Sequence, residues 1–512
     1  MAILNQQSFS AALIACPFIL LAYYLILYVF TFGSLRPIPG PFLARFTNLQ
    51  NMYKSRASTR TMWIYDSHKK YGTVVRIAPN HISIAHEEAI NVILGHGNGL
   101  LKSSFYDAFV TTDRSIFTTR DRASHSRKRR IVSHTFSPKS VLTLEPHLMH
   151  HIAIFVEKLE EIAERRAGAS GFAEIDCMRW HMFLTFDALG EVVFSKSFGM
   201  LQKGSDIVEA KMNAHTDSMF LPAIENLKAR GKAALTLGAL PELLPFARYI
   251  PDPFFRRGFM GVKNIAGMAI ARIKERLDDP SKHDVRDILA ILMQPNSEGR
   301  EQFGFRELIA EAATLFIAGT DTTGITLGAT MIHLARAPHA LRKLQAELDS
   351  AVPNNVAIPS FDMIRNLPYL NAVINETQRH HSTIGIGLPR EIPPDSPGIH
   401  FQGHYFPTGT VLSVPGFTVH HLEEIWGPDA MEYKPERWQS LTPRQRAAFF
   451  PFSHGPTACL GRSFADIELK LTVAAWARRL DVYMSPDDEV RFSEGLTKRP
   501  VSAMVKIRRR GG

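Results

Sequence analysis

Between Phe305 and Arg336 the sequence is apolar on nearly every helical face through AEAATLFIAGTDTTGITLGATMIHLA. A helix that is apolar all round is buried either in a large core or in a bilayer. Glu307, Glu311 and Asp321 oppose the bilayer, because ionised groups inside hydrocarbon are costly. The helix therefore demands a large protein body around it, and a chain of 512 residues, 45% hydrophobic and 21% charged, can supply one. Within it, Gly319-Thr320-Asp321-Thr322-Thr323 is a weak helical segment. Glycine has poor propensity, and short hydroxyl and carboxylate side chains compete for backbone hydrogen bonds. Local inconsistency in a buried element is where function is expected.

The rest of the chain is organised around that helix. Helical spacing runs through 141–166, 177–194, 254–277, 341–348, 367–380 and 461–480. YGTVVRIAPNHISIAH from Tyr71 alternates at period two around a Pro-Asn turn, a hairpin pattern. Strand-rich patches also run from Gly385 to Gly416 and through VSAMVKIRR near the C-terminus. No repeat, low-complexity tract or internal linker divides the body, so the expected fold is mainly α with a minor β portion in one large domain. Segments 95–120, 200–250 and 383–389 are expected to be loops and short helices that line a pocket.

At the N-terminus no charged side chain precedes Arg36, and Ala11 to Phe32 is almost wholly apolar. As a helix it would be about 33 Å long, enough to cross a hydrocarbon core. It lacks the basic start and small-residue cleavage site of a signal peptide, so an uncleaved transmembrane helix is expected. Arg36, Arg45, Lys54, Arg56 and Arg60 follow before the first acidic residue, Asp66, which by the positive-inside rule leaves the body cytosolic. Pro37, Pro39 and Pro41 cannot continue a helix. The expected division is thus an anchor over 1–35, a Pro-rich hinge and linker over 36–60, and the body over 61–512. Cys16, Cys177 and Cys459 lie too far apart for a disulfide framework or paired zinc ligands, which fits a reducing compartment. The net charge of +10 suits an acidic partner protein, an anionic membrane surface or nucleic acid, and charge alone does not choose among them.

Cys459 carries the most pointed chemistry. It sits in a glycine-rich stretch from Phe452 through Gly455 to Gly461, just before an amphipathic helix. Glycines on both sides permit turns closed to other residues, and a helix N-terminus favours an anion, so the cysteine is placed to be a thiolate. On these grounds it is a metal ligand, a nucleophile with His454 as base, or an inert buried thiol. Glu376 and Arg379, three apart, share a helix face. Pro435-Glu436-Arg437-Trp438 is a short motif with little meaning alone.

Taken in order, Ala318-Gly319-Thr320-Asp321-Thr322-Thr323, Glu376-x-x-Arg379, Pro435-Glu436-Arg437-Trp438 and Phe452-x-x-Gly455-x-x-x-Cys459-x-Gly461 resemble the haem-thiolate monooxygenases of the cytochrome P-450 superfamily. The resemblance covers the body from about Pro37 to the end, and the anchor is similar to that of endoplasmic-reticulum members. Longer stretches, among them HKKYGTVVRIAP, GHGNGLLKSSFYDAF, RKRRIVSHTFS and GLPREIPP, look like fungal benzoate para-hydroxylases and their secondary-metabolism relatives. The resemblance implies one haem-thiolate monooxygenase fold that binds haem (iron protoporphyrin IX), with Cys459 as proximal iron ligand. Phe452, Gly455 and Gly461 match the haem-binding loop. Asp321 and Thr322 match the acid–alcohol pair that steers protons and water toward dioxygen. Gly319 matches a position whose missing side chain leaves a groove over the haem. Glu376, Arg379 and Arg437 match a buried structural triad. Arg390 and Arg129 match haem-propionate partners. Thr457 stands where a propionate-binding Arg or His is usual, and His125 stands where many relatives carry Trp but can donate the same hydrogen bond.

The implied activity is insertion of one atom of dioxygen into an organic substrate, an aromatic acid or a fungal secondary-metabolite intermediate. Electrons would come from NADPH through the NADPH-cytochrome P-450 reductase, since no nicotinamide or flavin site is evident in the chain. The implied location is the endoplasmic reticulum membrane, single-pass, in contact with membrane lipid and with the catalytic domain cytosolic. Two other readings keep the fold: a non-hydroxylating rearrangement or coupling, and a non-catalytic haem-binding protein. A nucleic-acid role for the run Arg127 to Arg130 is disfavoured, because no nucleic-acid motif accompanies it.

Overall fold

The long helix, Phe305–Arg336, packs along Cys177–Phe194, with Pro253–Asp278, Arg462–Arg479 and Pro368–His381 on its other sides. The computed structural model describes residues 33–512 apart from 169–170, 214–215, 279–286, 296–302, 502 and 512, and before them the isolated positions Ala15, Phe18 and Ala22. The apolar stretch expected to be an anchor therefore lies, but for those three positions, outside the described residues. Among the described residues no helix is long and apolar enough to cross a membrane.

The long helix runs unbroken through Gly319–Thr323 because its hydroxyls bond back along its own axis. Thr320 donates to the Phe316 carbonyl at 3.0 Å, Thr322 to Ala318 at 2.7 Å, Thr326 to Thr322 at 2.9 Å and Thr330 to Thr326 at 2.8 Å. The expected competition for backbone groups is thus resolved by sharing carbonyls already used in the helix. Cys177–Phe194 starts where Asp176 accepts the Arg179 N–H at 3.0 Å, an N-cap. Two expectations need correction. The helix expected over 141–166 is two, Pro138–Leu142 and Glu145–Arg165, and Pro146 occupies the first turn of the second, where a missing N–H is harmless. Segment 200–250, expected as loops and short helices, contains the 16-residue helix Ala223–Gly238 packed on Pro253–Asp278. Gly231 and Gly238 concealed it in the sequence, yet both lie where another chain segment comes close: a Cβ on Gly238 would meet the Phe105 ring at 2.8 Å.

A five-stranded sheet runs in the order Val74–Ala78, His81–Ile84, Val411–Ser413, Arg390–Glu391, Leu101–Lys102. The expected hairpin at Tyr71 forms its first two strands, paired antiparallel with Val75 opposite Ser83. At the other edge the register sets Lys102 opposite Arg390, which brings two cations to one end of the sheet. Leu480–Tyr483, Met504–Arg509 and Ala173–Asp176 form a second sheet, and Arg491–Glu494 with Lys498–Val501 a hairpin.

The segment expected to be a hinge over 36–60 is part of the body. Leu35 and Ile38 are fully buried, and the Arg76 N–H donates to the Pro39 carbonyl at 2.8 Å. Leu49–Arg56 is a helix packed on Ala223–Gly238. The prolines do prevent a long helix, but they lay the chain along the sheet rather than hold it away. A Cβ on Gly40 would fall 2.2 Å from the Arg76 carbonyl oxygen. Gly40→Ala is accordingly expected to destabilise the fold by about 1–3 kcal/mol. Denaturant unfolding checks this, and an unchanged midpoint would mean that the segment is detached.

Candidate active site

The loop from Phe452 to Gly461 leads into the helix Arg462–Arg479. It is closed by the Cys459 N–H donating to the Phe452 carbonyl at 2.8 Å. Gly455 has φ 71°, and a Cβ there would lie 1.9 Å from the Leu94 carbonyl oxygen, so glycine lets the loop press on the helix Glu87–Leu94. Gly461 differs from expectation. Its φ of −82° is open to any residue, and it serves as the N-cap position of Arg462–Arg479. Cys459 keeps accessible surface but is hemmed in by protein on its other sides. Burial pushes its thiol up, while the Gly461 N–H and the charges of Arg129 and Arg462 pull it down. Among the described residues no hydrogen bond joins His454 to Cys459, so the nucleophile–base pair is not assembled.

Cations gather beside this loop. Arg129 donates to the Ala458 carbonyl at 3.0 Å. Arg390 donates to Thr457 Oγ1 and to the Tyr106 hydroxyl, each at 2.7 Å. Lys102 Nζ donates to the carbonyls of Ile116 and Phe117, each at 2.8 Å. Burial, with Arg390 next, holds Lys102 down to about 7, against the opposing pull of Glu311. Burial, followed by Lys102, Arg129 and Arg390, holds His125 down to about 4. The run from Arg127 to Arg130 does not act as one basic stripe. Lys128 is buried against Glu307 at 2.6 Å and Glu311 at 2.9 Å, Arg127 pairs with Glu307 at 2.8 Å, and Arg129 alone turns to the cysteine loop.

On the long helix, Ala318 is exposed and Thr322 half-buried, four residues apart and hence on one face of an element that is mostly buried. Gly319 does not leave the gap on that face. A Cβ on Gly319 would meet Leu189 Cδ1 at 3.0 Å, so its missing side chain serves the contact with Cys177–Phe194, and Ala318 is the small residue at the opening. Asp321 is buried, paired with Arg499, and accepts the Thr497 hydroxyl at 2.6 Å. The carboxylate and the hydroxyl of the expected acid–alcohol pair are therefore held by different partners, Asp321 by the Arg491–Val501 hairpin and Thr322 by its own helix.

Glu376, Arg379 and Arg437 meet in one buried cluster. Glu376 accepts from Arg379 Nε and Nη2, both at 2.8 Å, from Arg437 Nε at 2.9 Å, from the Lys434 N–H at 2.9 Å and from the Trp438 indole at 3.0 Å. Burial pushes this carboxyl up, but the bonds and charges of Arg379 and Arg437 with the Lys434 N–H outweigh it and hold it below its ordinary value.

The cytochrome P-450 family model matches residues 37–507. The chain belongs to the cytochrome P-450 family. It is 44% identical over 497 residues to the benzoate 4-monooxygenase of Aspergillus niger, covering 96% of each chain. It is 30% identical over 468 residues to a cytochrome P-450 monooxygenase of Aspergillus terreus, covering 87% of this chain and 90% of that one. It is 28% identical over 478 residues to the tryprostatin B 6-hydroxylase of Neosartorya fischeri, covering 92% and 81%. The chain is thus a cytochrome P-450 monooxygenase, a haem protein that acts with dioxygen on an organic substrate.

The residues of this P-450 fit haem. A thiol stands at a helix N-terminus, a small residue opens the face of the long helix, and Lys102, Arg129 and Arg390 offer positive charge with His125 beside them as a neutral hydrogen-bond donor, a set that suits the two carboxylates of protoporphyrin. Sequence reasoning missed Lys102, Tyr106, Thr497 and Arg499. Pairing of Leu101–Lys102 with Arg390–Glu391 would have exposed the first, but a two-residue strand carries no periodicity.

Removing one member of the Glu376–Arg379–Arg437 cluster strands a buried charge, which costs roughly 3–5 kcal/mol. Arg379→Ala is therefore expected to abolish folded, haem-loaded protein, checked by haem content of the soluble fraction. The depressed Glu376 carboxyl adds stability that is present above the unfolded-state pKa and is lost as pH falls through its lower folded value. Unfolding measured against pH should show that acid limb, and Glu376→Gln should flatten it.

Proposed function

We propose that this P-450 hydroxylates an aromatic carboxylic acid of the benzoate class, at the ring position para to the carboxylate. The observation that carries the reading is 44% identity over 96% of the chain to a benzoate 4-monooxygenase. Haem, when bound, would supply the redox chemistry by which dioxygen, two electrons and two protons give one oxygen atom in substrate and one in water. Cys459 would hold the haem iron through its thiolate, with Phe452, Gly455 and Gly461 shaping its loop. Arg129 and Arg390, with Lys102, would neutralise the propionates, His125 would donate a hydrogen bond to one, and Arg390 stands bonded to Thr457. Ala318 leaves room above the ring, and Thr322 passes protons from its hydroxyl. Asp321 would relay protons to it from solvent once its carboxylate leaves Arg499. Glu376, Arg379 and Arg437 hold the scaffold.

Electrons come from NADPH through its reductase, an acidic flavoprotein that suits a chain of net charge +10. The apolar segment before Gly33 anchors the protein, single-pass, in the endoplasmic reticulum membrane with residues 61–512 as cytosolic catalytic domain. The hold of Arg499 on Asp321 favours a second reading, in which the same fold rearranges or couples its substrate without delivering protons to dioxygen.

Microsomes holding the protein and its reductase should convert benzoate to 4-hydroxybenzoate with NADPH, and failure across benzoate-like acids would end the reading. Loss of a positioned proton donor reduces rates by roughly 100-fold or more. Thr322→Ala is expected to keep consuming NADPH while product per NADPH drops steeply. Unchanged coupling would favour the second reading.

A further inference from the structure

Arg60 is the first residue of the helix Arg60–Tyr71 and is 1% exposed. Among the described residues its Nε and Nη1 have no hydrogen-bond partner. Among the described residues it forms no ion pair; burial lowers its pKa to about 10, and Glu494 is the carboxylate that acts on it from a distance. Glu494 is itself engaged elsewhere. It accepts the Thr61 N–H at 3.0 Å and faces Lys498, whose ammonium lies 4.5 Å from the Phe417 and Phe492 rings. A buried guanidinium with unmet N–H groups is destabilising, so its presence calls for an anion that is not part of the chain.

The surroundings say which anion. The Arg60 guanidinium lies 5.8 Å from the centroid of the Phe105 ring. Phe105 belongs to one apolar cluster with Tyr106, Phe109, Leu235 and Ile386. Tyr106 is bonded to Arg390, which is bonded to Thr457, two residues before Cys459. Contacts thus lead from the aromatic cluster to a buried guanidinium with unmet N–H groups on one side and to the cysteine loop on the other. The propionates have Lys102, His125, Arg129 and Arg390 at the loop end, so they do not account for Arg60. A ligand with an apolar ring and a carboxylate satisfies both ends: its ring meets the aromatic wall and its carboxylate accepts from the free N–H groups.

We infer that Arg60 binds the substrate carboxylate and sets the preference for aromatic acids over neutral aromatics, an inference that rests on the aromatic-acid reading above. The test is titration of the haem-loaded protein with benzoate and with benzamide, its neutral isostere, read from the substrate-induced haem spectral shift and from thermal unfolding. The wild-type protein should prefer benzoate. Loss of a hydrogen bond to a charged group corresponds to roughly a 10- to 100-fold rise in Kd. Arg60→Gln should raise the benzoate Kd by that factor, leave the benzamide Kd alone, and remove the thermal stabilisation by benzoate. Without ligand it should unfold at the same temperature as wild type or higher, because an unmet charge is gone. Arg60→Lys, which keeps the charge, should fall between and stands in should the glutamine variant fail to load haem. If Arg60→Gln keeps the benzoate preference, or unfolds at lower temperature without ligand, the anchor is wrong and Arg60 serves Glu494; the aromatic-acid reading survives. If the wild-type protein shows no benzoate preference, the aromatic-acid reading falls and the anchor with it.

Discussion

One carboxylate holds the frame on which the active site is built. Glu376 has no exposed side-chain surface and accepts from two guanidiniums, an indole and a backbone N–H. The two arginines then spend their remaining N–H groups on chain that has little regular structure of its own. Arg379 donates to the carbonyls of His420, Ala430 and Glu432, and Arg437 to those of Trp426, Asp429 and Glu432. A buried ionic cluster is tolerable only when every donor and acceptor is met, and here they are met across the segment that precedes the cysteine loop. Regular ladders could not have fixed that segment, so charge does.

The reacting region lies between two further electrostatic systems of different kinds. On the propionate side, burial first, and then the charges of Arg129 and Arg390, lower the pKa of Lys102 and His125, a state that a dianion relieves. On the other, Asp321 is already balanced by Arg499 and Thr497. The first system is poised to bind a cofactor; the second must break a contact to release its carboxylate. Arg60 is a third case, a buried cation with two N–H atoms unmet among the described residues and Glu494 acting on it only from a distance. Each follows from one rule, that a buried charge is stable only beside its opposite.

Much of this was legible in the sequence, and for definite reasons. The boundaries Phe305–Arg336 and Cys177–Phe194 were readable because long apolar helices carry strong periodicity. Cys459, Glu376, Arg379 and Arg437 were readable through motifs of fixed spacing. What escaped was contact between distant segments. Arg499 meets Asp321 across 178 positions, and Lys102 meets Arg390 through two-residue strands. Gly319 was assigned to the haem face because sequence gives a helix position but not which neighbour it faces, and Leu189 occupies that side. The hinge over 36–60 failed similarly: prolines forbid a helix, yet they say nothing about whether the chain lies on a sheet.

The central claim is that Cys459 is a thiolate ligand to haem iron although Thr457 replaces a cation at the haem edge. The ferrous carbon-monoxide difference spectrum of the expressed protein tests it most directly. A strongly red-shifted Soret band is expected, the signature of thiolate ligation. A folded sample that shows only the shorter-wavelength band would contradict it, because the sulfur would then be protonated or displaced and the oxygenase reading would give way to that of a haem-binding protein.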